Sequence, residues 1–78
     1  MENKVKEIAF EVINEADYIT KAQIKERVLD IAVERKILTK EFVIAFGDIG
    51  WRLQDLRQKD GVADCFKEGR NWFWYAIK

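Results

Sequence analysis

The side chains best placed to do chemistry lie in one stretch, residues 47–61, which reads GDIGWRLQDLRQKDG. Trp51, Gln54, Asp55 and Gln58 are spaced to share the outer side of a helix, opposite Ile49, Leu53 and Leu56. An indole among two amides and a carboxylate suits recognition: the ring can stack or fill a partner's pocket while the polar groups exchange hydrogen bonds. Arg52, Arg57 and Lys59 flank that face and supply cations.

Covalent or acid–base chemistry has much less to work with. The chain contains no histidine and no serine, and Cys65 is its one cysteine. Cys65 sits in an apolar, alternating segment without an evident base, so it is expected to be a small core thiol. A lone cysteine cannot close an intramolecular disulfide, and without histidine no zinc-ligand spacing exists. The carboxylates are spread along helical surfaces, with no pair in an apolar pocket as acid–base catalysis needs. Neither KEGR nor FGDIG has the spacing of a phosphate-binding loop. The expectation is a protein that is not an enzyme and carries no metal and no cofactor.

Composition narrows the partner class. Seventy-eight residues suffice for a single domain, and ten aromatics with no proline describe a folded chain. Fourteen basic residues balance fourteen acidic ones. That argues against tight binding driven by overall charge, although a locally basic face can still exist. The N-terminal segment MENKVKEIAFEVINEAD carries charges every few residues and is not a signal peptide, and no apolar run reaches membrane-spanning length. A cytoplasmic protein without membrane contact is expected.

The positioning elements follow from periodicity. Val5, Ile8, Ala9, Val12, Ile13 and Ala16 predict a helix over 3–16, capped by Asn3, with Glu11 and Glu15 on a solvated face. Tyr18-Ile19 is too short to stand alone and is placed to bridge to a later hairpin. Thr20 and Gln23 form a capping box that starts a second helix reaching residue 35 or 36. Its stripe is Ile24, Val28, Ile31 and Ala32, widened by Leu29 and Val33, an arc broad enough to touch both other helices. Thr39 caps a short turn, 40–46, with Phe42, Val43 and Phe46 inward. Gly47 breaks the pattern, and Asp48 caps the helix that Gly61 stops. The alternative, one helix over 40–59, would place two glycines inside it at about 1 kcal/mol each.

After Gly61 the period becomes two. Residues 62–66 and 71–77 are strands joined by a glycine turn, 67–70. On the second strand Trp72, Trp74 and Ala76 share one face, with both tryptophans expected in the core. Phe73, Tyr75 and Ile77 share the other, which leaves bulky aromatics partly exposed unless something covers them.

Helix, short link, helix, turn, helix and hairpin, with FGDIGWRLQDLRQKDGVADCF running into a glycine turn and an aromatic strand, resembles the winged helix-turn-helix family. Leu53, Leu56, Arg57 and Gly61 match the Leu-x-x-Leu-Arg run and following glycine of its third helix. The resemblance implies an α+β fold, three helices with a C-terminal β-hairpin wing, and a small stand-alone regulator of prokaryotic or phage type. It implies that double-stranded DNA is bound. By position, Trp51, Gln54, Asp55 and Gln58 would face base edges in the major groove. Lys21, Lys40, Arg52, Arg57, Lys59, Lys67 and Arg70 would reach phosphates. The chain departs from the family in holding a tryptophan and an acid on the reading face. The competing reading is a protein-interaction module that docks through Trp51 and the wing aromatics. Homodimerisation through the first helix or the aromatic strand fits either.

Overall fold

Four helices and a three-stranded antiparallel sheet make up the residues described, 4–77, of this computed structural model. Asn3 and its proposed cap lie outside the described residues. Helix α1 (Lys4–Glu15) buries Val5, Ile8, Ala9, Val12 and Ile13, the stripe expected from spacing. Helix α2 (Lys21–Glu34) begins with the capping box in place: Gln23 N–H donates to Thr20 Oγ1 and Thr20 N–H to Gln23 Oε1. It ends in a paired C-terminal turn, with Lys36 N–H donating to Val33 O and Ile37 N–H to Ala32 O. That arrangement needs a left-handed residue between them, and Lys36 takes the position at φ 57°.

The inward arc of α2 is narrower than expected. Ile24, Val28 and Ala32 are buried, Ile31 is half-buried, and Leu29 and Val33 are exposed. The helix packs mainly on α1 and the sheet, so no element covers the widened edge. At the end of α2, Arg35 donates to both carboxylate oxygens of Glu11 at 2.9 Å. Glu11 is thus a tie between helices and not simply a solvated acid; the guanidinium hydrogen bond holds its carboxyl below the ordinary range.

Helix α3 (Lys40–Gly47) is capped by Thr39, whose Oγ1 accepts from Phe42 N–H. Phe42 is buried and Phe46 half-buried, but Val43 faces outward and is exposed. Helix α4 (Ile49–Gln54) follows after a break at Asp48, so the region is two segments and not one. Asp48 occupies the cap position without capping through its side chain. Its φ and ψ, −100° and 22°, are not the extended backbone of a side-chain cap. Its carbonyl accepts from Trp51 and Arg52 instead.

From Asp55 to Lys59 the helix widens into a π-helical turn, closed by Asp60 N–H on Asp55 O. Gly61, at φ 66°, and a hydrogen bond from Val62 N–H to Leu56 O finish it. Leu56 stays buried through the wide turn. Lys6 of α1 pairs with Asp60 at 2.6 Å.

Strands β2 (Ala63–Glu68) and β3 (Asn71–Ala76) form the hairpin, and β1 (Ile19–Thr20) adds to the far side of β3 as the two-residue bridge expected. Lys67 and Glu68 belong to β2, so the turn is only Gly69-Arg70. Gly69, at φ 64°, takes the first position of this two-residue turn, where glycine is favoured. Trp74 pairs with Ile19 on one side and Cys65 on the other, and closes the core from below. On the outer face Phe66 and Phe73 stack with ring centroids 5.7 Å apart, and Tyr18 lies edge-on to Phe66. The chain therefore covers part of that face with its own tyrosine. No helix among the described residues is long and apolar enough to cross a membrane.

Candidate functional site

Three elements converge on one groove. The start of α2 contributes Thr20, Lys21 and Ala22, and the helix running from Gly50 to Arg57 contributes Leu53 and Gln54. The hairpin contributes Cys65, Arg70, Asn71, Trp72 and Trp74. The groove encloses about 450 Å³. Its floor is apolar, because Leu53 and Trp74 belong to the core. Its rim carries Lys21, Arg57 and Arg70, and no carboxylate lines it.

Local structure fixes each of the three cations. Lys21 is the first residue of α2, so the Thr20 cap sets its direction, and its chain lies along α4. A Cβ on residue 50 would stand 3.0 Å from Lys21 Nζ, so Gly50 leaves room for the ammonium. Arg70 sits in the two-residue turn and extends from the hairpin tip. Arg57 leaves the π-helical turn toward β2, where its Nε donates to Asp64 Oδ1 at 2.8 Å. Neither Lys21 nor Arg70 has an ion-pair partner among the described residues.

Asp64 is acceptor to two groups, Arg57 Nε and the N–H of Cys65. Those hydrogen bonds, the Arg57 bond first, hold its carboxyl below the usual carboxylate range. The same bond keeps the Arg57 guanidinium firmly charged. Cys65, on the groove wall, moves the other way: burial pushes its thiol up, and the positive charge of Arg57 offsets this only in part. The thiol is therefore protonated at neutral pH and poorly nucleophilic, and it is packed against the core as a small strand thiol.

The remaining residues singled out from the sequence are distributed more widely. Trp51 is 73% exposed on α4, outside the groove. Gln54 lines the groove half-buried and accepts from Gln58 Nε2 at 3.3 Å, while Gln58 itself is exposed. Asp55 is half-buried at the start of the π-helical turn. Arg52 is half-buried, and its Nε is sealed from solvent without a hydrogen-bond partner among the described residues. Lys59 is exposed at the end of the turn, Lys67 is exposed on β2, and Lys40 is exposed at the head of α3; none of these three lines the groove.

Trp72 was expected in the core and is not there. It is 52% exposed on the groove wall. Strand β1 pairs only with Phe73 and Trp74, so Trp72 lies beyond its reach, with Lys67 as its one cross-strand neighbour. Strand alternation put Trp72 and Trp74 on the same face, and that holds. Where along the strand the covering layer stops is not written in a period of two. Asn71, Gly50 and Thr20 also carried no signal toward the groove, because their part in it depends on how three separated segments meet.

No protein-family model, curated protein or solved structure matches this chain.

Proposed function

We propose that the chain is a non-enzymatic winged-helix protein that binds duplex DNA, with α4 and its π-helical turn as the reading helix and the hairpin as the wing. The carrying observation is the groove between helix and hairpin, whose rim holds Lys21, Arg57 and Arg70 and no carboxylate. Phosphate neutralisation by such cations supplies the sequence-independent part of DNA affinity. Trp51 and Gln58 project from the same helix into solvent, where base edges would be met. The order of elements, with a hairpin behind the reading helix, supports the same reading.

The test is an anisotropy titration of a labelled mixed-sequence duplex. The triple variant Lys21→Ala, Arg57→Ala, Arg70→Ala is expected to bind at least about tenfold more weakly than the unaltered protein. Equal affinities would remove the groove from DNA binding.

A second reading has its own support. Trp51 at 73% and Trp72 at 52% exposure are large aromatic groups left open to solvent, and such anchors are enriched at protein interfaces. A protein-interaction module would show no duplex binding in the same titration.

A further inference from the structure

We propose that the groove between α4 and the hairpin receives a single unpaired nucleotide, so that the protein prefers duplex DNA ending in a single-stranded overhang to blunt duplex. The inference rests on the duplex-binding reading for the contacts around the groove, and it names the form of DNA that the groove itself takes.

Size comes first. About 450 Å³ falls among pockets that hold one small ligand, roughly 300–1,000 Å³, and is far too narrow for a duplex. The lining then sorts into three parts. Trp72 is half-exposed and lines one wall, and every base has a π-face able to stack on an indole. Asn71 offers an amide able to donate and accept along a base edge that pairing no longer occupies, and Gln54, whose Oε1 already accepts from Gln58, keeps its NH₂ group to donate. Lys21, Arg57 and Arg70 stand on the rim with no carboxylate among the lining residues. Arg57 retains both terminal nitrogens for an anion, because Asp64 engages only its Nε.

An aromatic stacking wall beside a cationic track is the combination that holds single strands without sequence preference. A base still paired inside a duplex could not present its face to Trp72. Charge complementarity favours an anionic ligand over a neutral or basic peptide, and the indole beside the amides of Gln54 and Asn71 favours a base over a bare phosphate or a carboxylate side chain.

The experiment compares two labelled probes of one sequence, a blunt hairpin duplex and the same hairpin with a short thymidine overhang on either end, titrated at fixed salt. The unaltered protein is expected to bind the overhang about tenfold or more tightly than the blunt end. Trp72→Ala is expected to erase that difference by lowering overhang affinity to that of the blunt duplex, and Trp72→Phe to keep most of it. Circular dichroism of both variants establishes that they fold. Equal affinity of the unaltered protein for the two probes overturns this proposal alone. Binding of the overhang strand without binding of blunt duplex overturns the duplex reading and supports this one. Loss of blunt-duplex binding in Trp72→Ala to the same degree as overhang binding also overturns it, as does failure to bind either probe.

Discussion

Arg57 donates to Asp64 Oδ1 through Nε alone, at 2.8 Å, and its two terminal nitrogens have no hydrogen-bond partner among the described residues. The pair is about two-fifths exposed on each side. Its value is orientation: a side chain rich in rotamers is held through one nitrogen while it lines the groove. Arg35 and Glu11 show the contrast, a two-bond pair that closes on itself and ties α1 to α2.

Asp64 also sets an acid sensitivity. Its carboxyl lies below the ordinary value in the folded chain, chiefly through the Arg57 bond. The ionised side chain therefore stabilises the fold fully above about pH 3.9, the ordinary value for aspartate. That contribution is lost as pH falls through the lower native value. Glu11 acts in the same direction. Urea midpoints measured from neutral to strongly acid pH are expected to fall at the acid end. Asp64→Asn should lower stability at neutral pH and flatten part of that fall, and a profile identical in slope to the unaltered protein would disprove the coupling.

Leu53 is fully buried where α4 meets the core, and Val33 is 61% exposed on α2. Leu53→Ala is expected to destabilise the fold by about 2–5 kcal/mol. Val33→Ala should stay within about 0.5 kcal/mol of the parent. Urea unfolding of the two variants checks both, and comparable losses would contradict the burial assigned here.

That comparison also shows how far the sequence could be read. Local signals carried well: the Thr20 capping box, the Thr39 cap, the break before Ile49 and the change of period after Gly61 are each encoded within a few residues, and each is present. The pairing of Ile19 with the hairpin was legible for the same reason, an apolar pair too short to exist unpaired. What failed was coverage. Leu29, Val33, Val43 and Trp72 all lie on apolar arcs, yet a chain of this length has too few elements to cover every arc. The groove was half legible. Lys21, Gln54, Arg57 and Arg70 were marked as contact residues, but the side chains that make them a groove come from segments whose meeting no spacing encodes.

Two residues hold the same left-handed conformation with opposite suitability. Gly61 has φ 66° and Lys36 has φ 57°. A side chain in this region costs about 1–2 kcal/mol. Gly61→Ala is thus expected to destabilise by about 1 kcal/mol, and Lys36→Gly to stabilise by a similar amount. Thermal midpoints moving in opposite directions would bear this out; a fall in both would contradict the turn at the end of α2.

The central claim, that Lys21, Arg57 and Arg70 form a phosphate-binding rim, is tested most directly by the salt dependence of affinity for a mixed-sequence duplex. Each phosphate neutralised contributes about −0.9 to the slope of log affinity against log salt. Three contacts predict a slope near −3 for the unaltered protein, reduced by about one for each cation replaced with alanine. A slope near zero, or one that the three substitutions leave unchanged, would contradict the account.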